Sequence, residues 1–476
     1  MRRLHAQRTS RREFLSALAA AVPTLALGGK ASKPGWQMSA PLRVSDLGSA
    51  AGDEGHALLN NRFLTFATVV RVNQIEVRRG EGIGDDETAF HTPATIAAFR
   101  NAFAQGWPGG RITWALSWLA LTNTSEQFKA IRKLVAEYYE RYGDEVTFIP
   151  GGYFANAYNT RQQVNRDLHD GLALASAVVG GGYRPKGVIA GFLAAVNQRF
   201  LAENEGIHVS QGNVWSQYSV DNQDGDGSIA YPYYPSTEHF CKPAQGQSDF
   251  IDCVNLDGWT CDFLAARRPG FAGGFNSRMG VGPIETIHGP WKERGLEEML
   301  HTTAIHFDKG FELNGFGWIT NIWEVVIGPD GLAEWLTAVR RRWPGTLCIP
   351  HGEFGLRWRK QFKDNSRLNY RFVERGSGIG GSDADKEIRW FMNQKFRLAL
   401  LRNLPGSAPE EVIDFTRYDL PAHEAQEKTR KWSLMGEINQ KQTRPQDKPR
   451  ALKALSAEDQ KRIVKVYPEL AAEVRE

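Results

Sequence analysis

Glu324 and Glu353 are the carboxylates of this sequence best placed for acid–base work, because each follows a short apolar β-rich run (316–323 and 346–349). Glycosidic cleavage needs two carboxyl groups, about 5–5.5 Å apart for retention and roughly 6.5–9.5 Å for inversion. Adjacent strands of a parallel sheet could bring these two together, with Glu76 and Asp257 in reserve. Other run ends carry rings, amides and an arginine: Asn73, Trp114, Trp118, Tyr153, Gln211, Asn213, Trp215, Asn276, Arg278, Asn321 and Trp323. Rings pack on sugar faces while amides and acids bind hydroxyls, so this set describes a substrate-binding cleft for carbohydrate. Any single strand-end acid, by contrast, more often caps a helix or pairs with arginine than reacts.

His351 offers a second chemistry. With Glu353 and one of His301, His306 or Asp308 it could hold a transition metal for deacetylation or isomerisation. His301 and His306 are five residues apart, which is not the i, i+4 spacing of a helix-borne metal pair. No Thr-x-Asp-Asp, HExxH or G-x-S-x-G motif occurs, so the acid–base pair ranks above the metal and a serine esterase is disfavoured. A different ion signal lies in Asn222, Asp224, Asp226 and Ser228, which alternate as the oxygen ligands of a calcium loop do, with Gly227 at the sixth position. Tyr233 stands where that loop has its bidentate glutamate, so an ordinary acidic turn ranks slightly higher. Calcium there would order a long insertion rather than react. Of four cysteines, Cys241 and Cys253 are expected to form a disulfide in an oxidising compartment.

These residues need a scaffold. Between residues 60 and 355, short β-rich runs alternate with helical stretches: strands over 66–77, 111–118, 146–150, 187–192 and 207–211, helices over 92–105, 125–142, 161–179 and 197–205. Further strands fall near 272–276, 316–323 and 346–349, and further helices near 258–267, 293–308 and 331–342. Seven or eight such units predict an α/β fold, a (β/α)7–8 TIM-like barrel with a loop insertion at 212–257. No G-x-G-x-x-G follows the first strand, which argues against a dinucleotide-binding sheet. The polar group Arg71, Asn73, Gln74 and Glu76 inside the first run either lines a polar cavity or marks the strand's end. A small β-rich domain over 356–420 and an extended charged tail over 421–476, with a short helix at 457–467, complete the expected organisation.

The first 31 residues read as a twin-arginine signal peptide: Arg11 and Arg12, then Phe14 and an apolar run to Leu27. That run is short of the ~20 residues that span a bilayer, so no stable membrane span is expected. The chain would meet the twin-arginine translocase during export and work in the periplasm or as a secreted protein. The formal charge of +4 equals the excess of five arginines over one glutamate in residues 1–29. The remainder is near neutral and gives no reason to expect a nucleic-acid partner. The 14 tryptophans and 13 tyrosines suit sugar stacking, though a large core uses them too.

The runs Asn165–Asp170 (NRDLHD), Gln211–Tyr218 (QGNVWSQY), Asp224–Tyr234, Cys241–Asn255, Phe275–Glu285 (FNSRMGVGPIE) and Arg371–Asp383 resemble a family of exported bacterial proteins of unassigned activity. The resemblance runs from about residue 60 to the end. It implies a barrel similar to those of glycoside hydrolases and polysaccharide deacetylases, followed by a small second domain, and carries over no catalytic residue. The expectation is an exported carbohydrate-active enzyme, a glycoside hydrolase with paired carboxylates. The alternatives are a metal-dependent carbohydrate deacetylase or isomerase, and a non-catalytic glycan-binding protein.

Overall fold

The computed structural model describes residues 57–191, 193–213, 227–257, 264, 292–379, 382–404, 406, 408–429, 432, 434–438 and 449–475. The export segment, Trp215, Asn222, Asp224, Asp226, Cys261, Asn276 and Arg278 lie outside the described residues. So do the helix expected near 258–267, apart from residue 264, and the strand expected near 272–276.

Strand β1 (Arg62–Val70) leads into a hairpin of β2 (Asn73–Arg78) and β3 (Glu81–Asp86), then helix α1 (Pro93–Gly106) and β4 (Thr113–Leu116). Next come α2 (Trp118–Thr122), α3 (Glu126–Tyr142), β5 (Glu145–Phe148), α4 (Ala155–Tyr158), α5 (Arg161–Val179), β6 (Val188–Ile189), α6 (Ala195–Asn204), β7 (Val209–Asn213) and β8 (Val254–Asp257). The body continues with α7 (Lys292–Phe307), α8 (Lys309–Asn314), β9 (Gly317–Ile322), α9 (Leu332–Arg342), β10 (Leu347–Cys348) and α10 (His351–Gln361). The C-terminal part holds β11 (Asn369–Arg375), β12 (Lys386–Asn393), β13 (Phe396–Asn403), β14 (Glu411–Arg417), α11 (Leu434–Ile438), β15 (Arg450–Ala451), α12 (Ala457–Val466) and α13 (Ala471–Arg475).

Local chemistry sets the helix ends. Ser125 accepts from Phe128 N to cap α3, and Gly143 ends it in the left-handed conformation. Thr92 and Pro93 start α1 with a capping box. Phe128, Ile131, Val135 and Tyr138 recur at helical spacing and are the buried face of α3.

The result is a mixed α/β body. One parallel sheet has β1 at its centre, β9 on one side and β10 followed by β4 on the other, with β5 beyond β4. A second parallel sheet is β6-β7-β8. The two sheets touch where Thr147 Oγ1 of β5 donates to Gly187 O at 2.6 Å and the Glu145 carboxylate accepts from Lys186 N and Gly187 N. Helices cover one face: Phe66 packs on Phe99 and Phe103 of α1 and on Trp335 of α9. Helix α10 covers the other, with Phe354 against Phe63 and Trp318. A side chain at Gly355 would collide with Val209 of β7, so this glycine lets α10 reach the second sheet as well.

Strands β11 to β15 form a separate antiparallel sheet. Buried Tyr231 packs on Tyr370 and Phe372 of β11 and on Trp318 of β9, tying this sheet to the body. The short helix expected at 457–467 is α12, and the described residues around it pack on the C-terminal sheet. β15 joins β14, and Ile463, Tyr467 and Leu470 share a buried cluster with Phe391 and Phe396. Apolar residues at helical spacing outweigh the segment's charge. Among the described residues no helix is long and apolar enough to cross a membrane.

Two segments near the expected site differ from the sequence reading. The run over 66–77 breaks at Val70, because Arg71 leaves the ladder to meet a carboxylate and Asn73, Gln74 and Glu76 fall in the β2–β3 hairpin. The segment after β10 is not a strand-end loop but helix α10, which contains both His351 and Glu353.

Candidate active site at the C-terminal ends of the parallel strands

Arg71 immediately follows β1 and is 2 % exposed. It donates from Nε and Nη2 to Glu87 at 2.6 and 2.8 Å, and from Nη2 to Glu324 Oε2 at 2.9 Å. Glu324 lies two residues beyond β9, so the parallel pairing of β1 and β9 delivers both groups to the same end. Burial opposes ionisation of Glu87, but His91 and Arg71 outweigh it and hold the carboxyl down at about 2. His91 Nε2 is 3.5 Å from Glu87 Oε2. Burial also works against the Arg71 charge, yet Glu324 and Glu87 raise its pKa overall. The side chain of Glu324 is 19 % exposed against 6 % for Glu87, so Glu324 is the carboxylate that solvent and ligand can reach.

Tyr153 completes this corner, with the Arg71 guanidinium 5.8 Å from its ring centroid. Burial, then Glu324, push its hydroxyl well above the usual phenol range. Tyr153 has φ +80°, after Gly151 and Gly152 at +62° and +55°. The two glycines adopt this conformation freely, so the backbone strain falls on Tyr153, a non-glycine residue held at positive φ. A Cβ at Gly152 would lie 2.9 Å from Gln74 O and 3.2 Å from Ile75 Cα, so the turn closes on the β2 backbone only with glycine.

Glu76 sits next to this cluster but is committed locally. It accepts from Ser117 Oγ, from Leu119 N at 2.9 Å and from Val72 N at 3.4 Å, so it helps cap α2. Burial raises its pKa against those donors. Asn73 is half-buried in β2 opposite Asp86. Asn213 and Asp257 pair at the ends of β7 and β8, and their side chains lie outside the description.

The structure does not bring Glu353 to Glu324. Thr113 of β4 and Ile322 of β9 both pair with Ala67. Arg111, which holds Glu353, precedes Thr113 by two residues, whereas Glu324 follows Ile322 by two. They are therefore separated by about 13 Å of strand rise, with Glu353 at the opposite end. Arg111 and Arg357 clamp Glu353 and keep its carboxyl below the ordinary range although burial opposes this. Glu353 is a structural acid at the start of α10.

Several expected substrate contacts are core residues. Trp114 is fully buried, donates to Asp144 at 3.0 Å and stacks on Tyr138. Trp323 is buried against Phe66 and donates to Gly328 O. Asn321 is buried and pairs with Phe66 in register, and Gln211 is buried beside Thr320. Trp118 is half-buried, with the Arg79 guanidinium 3.9 Å from its ring centroid. Asp167 and Asp170 of the NRDLHD run hold Arg79 there. The same run gives Asn165 to Asn197 and His169 to Glu205, so its described bonds are structural.

The suggested metal set is also dispersed. His351 Nε2 is 2.7 Å from Thr320 Oγ1, His301 meets Arg375 O, His306 meets Tyr231, and Asp308 accepts from Trp343. Among the described residues no group of three or more His, Cys, Asp or Glu side chains is placed to hold a metal ion. Of the calcium-loop residues Ser228 is described; it is buried and its carbonyl accepts from Arg397. The Cys241–Cys253 disulfide does not form, since no described cysteines lie at bonding distance. The described thiols are buried; Cys253 Sγ faces Ser210 Oγ at 3.7 Å, and burial pushes it up to about 12.

The chain belongs to the family of domains of unknown function with solved structure called DUF3863, whose model matches residues 56–392; a second such family, DUF3864, matches residues 397–470. The division between the two falls in the β12–β13 turn, inside one continuous antiparallel sheet. The chain is 50 % identical to a Parabacteroides distasonis protein described as a candidate glycoside hydrolase/deacetylase, over 87 % of this chain and 99 % of that one, with a TM-score of 0.82. A GH57 branching enzyme of Thermococcus kodakaraensis gives 13 % identity and a TM-score of 0.37 over 60 % of this chain and 69 % of its own. A candidate polysaccharide deacetylase of Mycobacterium smegmatis gives 14 % and 0.33 over 63 % and 91 %. These last two are too distant to carry an argument. None of the curated proteins matches the chain.

Proposed function

We propose that this protein is a carbohydrate-active hydrolase that cleaves glycosidic bonds at the C-terminal ends of its parallel strands. The carrying observation is Glu324, a reachable carboxylate held by a buried arginine that Glu87 anchors from behind. That arrangement fixes a carboxylate's position without consuming its outer oxygen, as a nucleophile or water-activating base requires. Asp257, the last residue of β8, is its partner in this reading. The name given to the 50 %-identical relative supports carbohydrate chemistry.

The finer architecture belongs to the same reading. The two parallel sheets act as one barrel, in the order β9-β1-β4-β5-β6-β7-β8, with α10 filling its N-terminal end. The bonds of Glu145 and Thr147 to residues 186 and 187 support the β5–β6 junction. Twin-arginine export follows from Arg11, Arg12 and the apolar run, and puts the substrate outside the cytoplasm.

Hydrolysis of a glycan panel by the wild type, Glu324→Gln and Asp257→Asn tests the assignment. Loss of at least about 10²-fold in rate is expected for each variant, the scale of a positioned acid or base. Undiminished turnover by Glu324→Gln would sink it.

A further inference from the structure

After β14 the chain leaves the antiparallel sheet and lies against the body as a strap. Glu424, whose side chain is 8 % exposed, anchors it. Its Oε1 accepts from Ala195 N at 2.7 Å and from Phe240 N at 3.0 Å, and its Oε2 accepts from Arg161 Nη2 at 3.1 Å. Arg161 Nη2 also donates to Ala425 O at 2.9 Å, and Arg161 N donates to Glu427 Oε1 at 2.7 Å. Lys428 N then donates to Asn156 O at 3.0 Å. Five hydrogen bonds therefore tie residues 424–428 to the body, and three of them reach the stretch from Asn156 to Arg161.

The stretch so held carries Tyr153. Phe148, the last residue of β5, is level with Leu116 of β4 and with Val70 of β1, so strand register brings the turn after β5 to the same end as Arg71. Asn156 is fully buried. Its side chain is committed to the body, with Oδ1 accepting from Ala194 N and Nδ2 donating to Asn197 Oδ1. Its carbonyl meets the strap. Among the described residues three non-glycines have positive φ: Asn60, Tyr153 at +80° and Lys428 at +62°. Asparagine tolerates that region, whereas tyrosine and lysine rarely adopt it. Yet these two stand on opposite sides of one joint, linked by three residues and a single hydrogen bond. Backbone strain persists only where the surroundings over-determine it, and it gathers at functional sites. Here two distant segments each bring a strained residue to the same place.

We propose that the strap over 424–428 is a positioning element of the Arg71–Glu324 corner: the Lys428 N–H holds Asn156, and with it the Tyr153 turn, in place beside Arg71. Gly152 fixes the turn to the β2 backbone just before Tyr153, and the strap fixes it just after. The strap lies inside the stretch matched by the second family, 397–470, so that region contributes to the site as well as packing on the body. The positioning rests on these contacts alone, while its effect on turnover rests on the proposed hydrolase activity.

The test uses the full chain labelled with 3-fluorotyrosine, the Tyr153 fluorine resonance being assigned by its loss in Tyr153→Phe. Lys428→Pro removes the N–H and cannot take a positive φ; the Tyr153 resonance should then move by more than its linewidth. Lys428→Gly keeps the N–H and adopts the left-handed backbone freely, so the resonance should stay where it is. A strap that only stabilised the fold would change Tm and leave Tyr153 unmoved. An unmoved resonance in Lys428→Pro therefore overturns the inference, as does an equal displacement in Lys428→Gly. Should Lys428→Pro fail to fold, Glu427→Ala, which removes the acceptor of Arg161 N, decides by the same shift. On a glycan that the enzyme hydrolyses, Lys428→Pro should lower kcat by at least about tenfold with KM less affected, since a misplacement near 1 Å can cost about 10²-fold; undiminished kcat there also overturns the inference. A displaced resonance in a protein inactive on every glycan keeps the strap's role and removes the proposed function.

Discussion

Substituting Arg71 by methionine removes the guanidinium from between Glu87 and Glu324 while keeping most of the side-chain volume. Glu87, 5 % exposed, then retains His91 as its described charge partner. Breaking a buried pair from one side costs about 3–5 kcal/mol. The titration of Glu87 gives an independent figure. Its carboxyl moves from 4.5 to about 2 on folding, because His91 and Arg71 outweigh the burial that opposes ionisation. At 1.36 kcal/mol per pH unit this is about 3 kcal/mol of stability. A depressed carboxylate contributes fully above the unfolded value near 4.5, and the contribution disappears as pH falls toward 2. Urea unfolding of both proteins between pH 7 and pH 2.5 should show the variant about 3–5 kcal/mol less stable at pH 7. The gap should narrow toward the acid end by no more than about 2.5 kcal/mol, because Glu87 is still partly ionised at pH 2.5 and the share held by His91 is common to both proteins. A gap that stays constant across the range, or one below about 1 kcal/mol at pH 7, would refute the claim that Arg71 is held by buried charge.

Glu353→Gln should leave glycan turnover within about twofold of wild type while costing about 1–2 kcal/mol, since it weakens a partly exposed clamp with Arg111 and Arg357; loss of activity comparable to that of Glu324→Gln would return Glu353 to the chemistry. Gly152→Ala forces a Cβ onto the β2 backbone at positive φ and should cost about 1–3 kcal/mol, with displaced Tyr153 lowering activity further; an unchanged Tm would remove the argument for strain. Cys253 should resist alkylation in the folded protein, because burial keeps the thiol protonated; labelling at native pH as fast as in urea would contradict this.

Helices were legible where one chain segment carries its own instructions. The 161–179 helix matches its expected bounds, with Thr160 as cap and Gly180 beyond its end. The 125–142 helix begins one residue later than expected, because Ser125 is its cap. Strands were legible as apolar runs but not in their limits: the run over 66–77 hid a break at Arg71, since period-2 alternation continues through a hairpin. Site residues divided in the same way. The polar group after β1 marked a buried polar corner, but Glu87 and His91 were missed because nothing local distinguishes a glutamate after a hairpin from a solvated one. A buried arginine that needs a counter-charge was the available signal. Trp114 and Trp323 were misplaced because a strand-end ring reads alike whether it faces a cleft or the helices.

By itself the sequence determined the alternating α/β body, the antiparallel strands after it, the capped helices and the glycine pair before Tyr153, all of which depend on neighbours a few residues apart. Only the tertiary structure decided which charges meet. The parallel pairing of β1 with β9 sends Glu324 to Arg71, and helix α10 carries Glu353 to Arg111 at the other end. Coulomb energy and desolvation depend on distance and burial, and two glutamates 29 residues apart acquire both only when the chain has folded.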